Sequence, residues 1–292
     1  MMAPAMRLAL LAATILLASP GAAVQHRSCT APDGVKIAYS VAGASDTALV
    51  FIHGGLANRS FYEKQLEAFS DRYVVVALDL AGHGDSGTNR KTWSMTQFGA
   101  DVKAVVDAEK LTRVVLFGNS LGGPVAIEAA LLMPDRVLGV VGIDTFQDLG
   151  HPETPEYAQA SAEFLRKRVE SFRKDFAGSV KAMTRMLFHA DADPALVADA
   201  ERRMLRTSPE TGVNILNSLA GYDTNTSARR LTVPLRAING DLYPTDVARA
   251  RAVKADFDVI TMKHMGHYPM LERPDEFNRH VKTVVESLER RK

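Results

Sequence analysis

A chain of 292 residues is long enough to bury a substantial core. Its 46% hydrophobic and 24% charged residues are the mixture of an ordinary globular protein. With 35 basic against 34 acidic side chains, the charge balance excludes an electrostatic grip on nucleic acid or on an anionic membrane surface, and points to a small, uncharged partner.

At the N-terminus, Arg7 precedes an uncharged apolar run from Leu8 to Ala18, and Ser19-Pro20-Gly21-Ala22-Ala23 then supplies a break and small residues suited to a signal peptidase. The run is too short to span a bilayer, and Pro20-Gly21 closes it. The expectation is a signal peptide over residues 1–23 cleaved near Ala23, with an uncleaved anchor helix as the alternative. Cleavage leaves no stable membrane span and implies a bacterial periplasmic or secreted location. Cys29 is the only cysteine, so no intrachain disulfide forms.

Beyond that segment, short β-like stretches alternate with helical ones, the pattern of an α/β fold with a mostly parallel central sheet flanked by helices. Val35 to Val41 alternates apolar and polar residues, as an exposed antiparallel strand does. Leu49 to Ile52, Tyr73 to Leu78, Val114 to Gly118 and Val137 to Ile143 are nearly continuous apolar runs, as strands covered on both faces require. Between them, Ser60 to Phe69, Met95 to Glu109 and Leu121 to Met133 have helical spacing. The alternation breaks between residues 150 and 230, where four helical stretches are punctuated by Pro155, Gly178, Pro194 and Pro209. This segment reads as an inserted helical cap on a core formed by residues 24–149 and 231–292. The sheet pattern resumes at Leu235 to Asn239 and Phe257 to Met262, separated by a helical Pro244 to Lys254, and Pro274 to about Arg290 forms a last amphipathic helix.

The strongest chemical signal is Gly118-Asn119-Ser120-Leu121-Gly122. A strand runs into it and a helix leaves it, so the chain reverses through a tight turn that exposes Ser120 Oγ at the carboxyl end of the sheet. Ser120 is therefore the candidate nucleophile. A serine hydroxyl is weak at neutral pH and needs a base, an acid that orients the base, and donors for a developing oxyanion. His267 follows the last strand, in Gly266-His267-Tyr268, and is the candidate base. The donors are backbone amides: that of Leu121, and one from His53-Gly54-Gly55-Leu56, with Gly55 preferred. His53 and His83 read as structural loop histidines, and no histidine pair has the spacing of a metal site.

Taken together, the chain resembles the α/β-hydrolase family. The resemblance rests on His53-Gly54-Gly55, on Asp79-Leu80-Ala81-Gly82-His83-Gly84-Asp85-Ser86, on Gly118-Asn119-Ser120-Leu121-Gly122-Gly123 and on Gly266-His267, in the family's order. It implies the α/β-hydrolase fold, a lid formed by the inserted helices, and a Ser-His-acid triad with no metal or organic cofactor. The family's usual acid follows the seventh strand, three residues after a glycine. Here that position, counted from Gly240, is Tyr243. A minority of the family takes its acid from the end of the sixth strand, where this chain has Val140-Val141-Gly142-Ile143-Asp144. Asp144 is the preferred acid, with Asp241, Asp148 and Asp246 as alternatives.

With a serine nucleophile the expected reaction is acyl transfer, since attack on a saturated carbon would leave a stable ether. The expectation is an exported hydrolase of small or medium uncharged carboxylic esters. Lactone or carbon-carbon cleavage by the same residues, or a non-catalytic binding protein on the same fold, are the alternatives. Phe164, Phe172, Met183 and Met186 in the cap are candidate substrate contacts, against the plainer reading that helical apolar stripes pack inward.

Overall fold

In the computed structural model, residues 23–152 and 154–290 are described; the expected signal peptide, apart from Ala23, lies outside them. Eight strands form one sheet: β1 (Gln25–Thr30), β2 (Lys36–Ala42), β3 (Ala48–Ile52), β4 (Val74–Leu78), β5 (Val114–Asn119), β6 (Val137–Ile143), β7 (Leu235–Gly240) and β8 (Asp258–Met262). Their spatial order is β1-β2-β4-β3-β5-β6-β7-β8. The pairs β1/β2 and β2/β4 are antiparallel and the remaining five are parallel. β3 and β5 to β7 are buried along their whole length, which is why they read as unbroken apolar runs in the sequence.

Helices α1 (Glu63–Phe69), α2 (Met95–Ala108) and α3 (Gly122–Leu132) follow β3, β4 and β5 respectively. Ser94 caps α2 by accepting from the Gln97 amide. The stripe Met95, Phe98, Val102, Val105 and Val106 is buried, and each such side chain contributes about 1.5–3 kcal/mol relative to exposure. α3 is buried nearly all round, from Gly122 to Ala130, as befits a helix held between the sheet, α2 and the insertion.

Between β6 and β7 stand five helices: α4 (Pro155–Lys174), α5 (Phe176–Leu187), α6 (Pro194–Met204), α7 (Pro209–Leu219) and α8 (Thr224–Arg229). Four of the five begin at sequence punctuation, with side-chain caps from Thr154, Asp175, Asp193 and Ser208. The fifth, capped by Asp223, is too short and polar to show periodicity, which is why the sequence suggests four. The chain closes with α9 (Val247–Val253), the one-turn α10 (Pro269–Glu272) and α11 (Pro274–Glu289). β1 was also unexpected: it is an edge strand whose residues are mostly exposed, so no face of it carries an apolar signal. No helix among the described residues is long and apolar enough to cross a membrane.

Candidate active site

The site lies at the carboxyl ends of β3, β5, β6 and β8, beside the point where strand order reverses. β5 and β6 run in register, with Asn119 opposite Ile143. Ser120 and Asp144 are therefore the first residues beyond the same rung of two adjacent strands. Both leave the sheet through left-handed backbone, at φ 51° for Ser120 and 43° for Asp144. A non-glycine residue held there costs on the order of 1–3 kcal/mol, maintained only by surrounding structure. The ladder supplies that support: the Ser120 amide donates to Ile143 O (3.1 Å) and the Asp144 amide to Ile238 O (3.0 Å).

Gly118 shows how tightly the turn is drawn. A Cβ there would stand 2.0 Å from Gly122 O, in the first turn of α3, so no side chain fits. A Cβ on Gly54 would lie 3.2 Å from Ser120 Cβ; the loop after β3 thus runs directly over the turn. Neither the Gly55 amide nor the Leu121 amide donates to an acceptor among the described residues, and the same holds for Leu56. The N-terminus of α3 lies next to Ser120, where its dipole favours negative charge.

His267 Nδ1 lies 2.5 Å from Asp144 Oδ2. The other carboxylate oxygen, Oδ1, accepts from the Gly240 amide at 2.9 Å. Both partners are buried, so the contact is screened little by water. The alternative acids are elsewhere: Asp241 accepts from the Met265 amide, Asp246 caps α9, and Asp148 is exposed. Tyr243, at the family's usual acid position, is 43% exposed.

Ser120, Leu121, Gly55 and His267 line one cavity of about 390 Å³ beneath the inserted helices, a volume suited to a small molecule. Phe164, Phe172 and Met183 line it as well. Met186, expected beside them, is instead 66% exposed and outside the lining: it lies on the outer side of α5, three residues from Met183. A larger hollow of about 590 Å³ lies against the same α4/α7 pair and shares Leu165, Leu216 and Leu219 with the first, but reaches neither Ser120 nor His267.

Several supporting residues carry no signal in the sequence. The Asn119 side-chain amide donates to Ile143 O (2.9 Å) and His267 O (3.0 Å), tying the serine turn to the strand of Asp144 and the loop of His267. Glu272 accepts from the amides of Gly266, Tyr268 and His189 at 3.3–3.4 Å. Burial holds its carboxyl pKa above the ordinary value. The His267 amide itself donates to Leu187 O at 2.6 Å, so the end of α5 is fastened to the histidine loop. Thr207 Oγ1 likewise donates to Leu56 O (3.2 Å) in the glycine loop.

His53 is a support of this kind too. Its Nε2 accepts from the Leu80 amide at 3.0 Å, and Nδ1 faces Gly54 O at 2.8 Å. Burial pushes its pKa down to about 4, and that of the neighbouring His83 down to about 3, so both are neutral, and His53 joins the two loops. No cluster of metal-ligating side chains occurs among the described residues.

A sequence profile described as the Alpha/beta hydrolase family matches residues 49–280. The chain belongs to that family. Within it, 3-oxoadipate enol-lactonase 2 of Acinetobacter baylyi is 26% identical over 263 residues, spanning 88% of this chain and 95% of the relative. Among solved structures, a thermophilic esterase from Thermogutta terrifontis superposes with a TM-score of 0.76 at 22% identity, over 90% of this chain and 99% of its own. The enol-lactonase from Burkholderia xenovorans LB400 gives 0.74 at 20% identity, over 89% and 100%. These structural likenesses establish the α/β-hydrolase fold, with its mostly parallel eight-stranded sheet and inserted helices.

Proposed function

We propose that this α/β hydrolase is a serine hydrolase that cleaves carboxylic esters of small or medium size through an acyl-enzyme. One observation carries the reading: His267, held at 2.5 Å by a buried carboxylate, opens into the same cavity as Ser120. With Nδ1 engaged by Asp144, Nε2 is left to take the proton of Ser120 Oγ as that oxygen attacks the substrate carbonyl carbon. Negative charge passes to the carbonyl oxygen, and the amides of Gly55 and Leu121, which have no acceptor among the described residues, are the donors for it. The imidazolium then gives its proton to the leaving alkoxide as the carbon-oxygen bond breaks. A water deprotonated by His267 attacks the acyl-enzyme, the tetrahedral adduct collapses, and Ser120 recovers its proton while the carboxylic acid leaves.

The same sequence of bonds opens a lactone, and the similarity to an enol-lactonase over nearly the whole of both chains supports including lactones among the substrates. We further infer export to the periplasm or medium from the apolar run Leu8 to Ala18 and the small residues up to Ala23. A mature N-terminus near Val24 in the periplasmic or culture fraction is the expected result, and an unprocessed chain in the cytoplasm overturns it.

Short p-nitrophenyl esters and a fluorophosphonate probe test the chemistry. Turnover by the wild type, with label on Ser120 that disappears in Ser120→Ala, is expected. No turnover and no label on Ser120 would reduce the protein to a binding module on this fold.

A further inference from the structure

Among the described residues, the cavity over Ser120 carries one fixed charge, and it is positive. Arg168 is the only Lys, Arg, Asp or Glu among the lining residues; Asp144 stands behind His267 and is not part of the wall. The rest of the wall is largely apolar, with Leu165, Phe172, Met183 and Ile215 facing the same space.

Arg168 stands one turn after Phe164 in α4, and its guanidinium carbon lies 5.3 Å from the centre of the Phe164 ring. The ring steadies the cation without neutralising it. The two acidic residues of α4 nearest Arg168 in sequence are already engaged elsewhere, Glu163 with Arg166 and Lys167, and Glu170 with Arg166. Among the described residues no carboxylate comes within 4.0 Å of Arg168. Burial draws its pKa below the ordinary guanidinium value, with only the Tyr243 phenol acting against that shift. That is the mark of a cation that has given up water without gaining a counter-charge.

We propose that Arg168 receives a carboxylate on the substrate, so that the natural substrate is an ester or lactone of a carboxylate-bearing molecule. The reactive carbonyl sits at Ser120, the carboxylate at Arg168, and an apolar spacer between them lies along the side chains named above. A guanidinium presents a planar fork that matches a carboxylate with two parallel hydrogen bonds. A single cation in an otherwise apolar wall suits a monoanion better than a phosphate dianion, whose second charge would be left without a partner. The neutral overall charge of the chain, which suggests an uncharged substrate, averages over the surface and does not report the one charge in the cavity.

The reaction in this inference rests on the serine-hydrolase reading, whereas the binding does not. The test compares mono-p-nitrophenyl esters of dicarboxylic acids, from glutaric to suberic, with p-nitrophenyl esters of the equal-length monocarboxylic acids, each corrected for spontaneous hydrolysis. A second pair places the carboxylate on the leaving group, as carboxyphenyl against phenyl esters. For at least one pair, wild-type kcat/KM is expected to favour the anionic ester by about 10-fold or more. That ratio collapses in Arg168→Gln and is partly restored in Arg168→Lys. Neutral esters turned over with no anionic preference in any pair overturn the carboxylate site while leaving the serine hydrolase intact. If no ester is turned over at all, calorimetric binding of the same half-esters to Ser120→Ala, with and without Arg168→Gln, decides the matter. Binding that is equal in the two proteins, or undetectable in both, refutes the role of Arg168.

Discussion

Replacing Asp144 by asparagine tests the candidate site most directly, because each oxygen of this carboxylate faces a different partner. One is the Gly240 amide at 2.9 Å, and the other is His267 Nδ1 at 2.5 Å. A carboxamide has one acceptor oxygen and one NH2 group. If the oxygen stays with Gly240, the NH2 confronts Nδ1 and forces the imidazole proton onto Nε2, so the ring has no lone pair for the proton of Ser120. If the oxygen turns to His267, the NH2 meets the Gly240 amide, donor against donor, in a buried position. Either way the group that balanced an imidazolium is gone. The expected loss is about a thousand- to ten-thousand-fold in kcat, or ~4–5.5 kcal/mol of transition-state stabilisation, with KM little changed. Steady-state kinetics on a p-nitrophenyl ester provide the measurement, with circular dichroism to check folding. Asp241→Asn, which disturbs only a contact to the Met265 amide, should stay within about 10-fold of wild type. An Asp144→Asn enzyme within 10-fold of wild type, or the reverse ranking of the two variants, would refute the assignment of the acid.

Other consequences concern the scaffold. Gly118→Ala puts a Cβ 2.0 Å from Gly122 O, so a loss of ~3 kcal/mol or more in urea denaturation is expected; an unchanged midpoint would show that the turn is not constrained as described. Glu272→Gln leaves one of three backbone donors facing an NH2 group and should lower kcat by about 10-fold through misplacement of His267, with KM little affected; an unchanged kcat dismisses the clasp. His53 protonates near pH 6.5 when unfolded but only at about 4 when folded. As pH falls from 6.5 towards 4, the unfolded chain takes up a proton that the folded one refuses, so stability drops by up to ~1.4 kcal/mol per pH unit from this group. His53→Gln should flatten denaturation free energy against pH over that window, and parallel curves for the two proteins would count against a neutral buried imidazole.

How far the sequence reveals this site depends on what kind of interaction builds each part. The grouping of Ser120 and Leu121 is legible because a strand-to-helix turn admits so few residue types, and that of Gly55 and His267 because each follows a strand that ends at the same edge of the sheet. Asp144 is legible because a carboxylate at the end of a fully buried apolar strand demands a partner. Arg168 is hidden: among Arg166, Lys167 and Arg168, periodicity does not tell which charge turns inward, and that is settled by how α4 rests on α7. Met186 was placed wrongly for the same reason, since α5 shows one face to the cavity and a stripe of methionines does not say which. Glu272 and Asn119 act through backbone atoms, so their partners have no side-chain identity to read.

The position of Asp144 follows from strand register. β6 lies between β5 and β7, with Asn119 paired to Ile143 and Ile143 to Ile238. An acid one residue past that rung on β6 is on the strand next to the nucleophile, whereas the usual position on β7 is one strand farther away. With Asp144 on β6, position 243 need not be a carboxylate, and Gly240, the glycine from which the usual acid would be counted, donates its amide to Asp144. Tyr243 can then occupy the vacated position, where its phenol is near enough to Arg168 to influence the guanidinium electrostatically. An aspartate there would set a negative charge against the positive one of Arg168. Tyr243→Asp should therefore lower the preference for anionic esters by about 10-fold, while neutral ester turnover still depends on Asp144. Retained anionic preference in Tyr243→Asp would place the carboxylate away from Arg168.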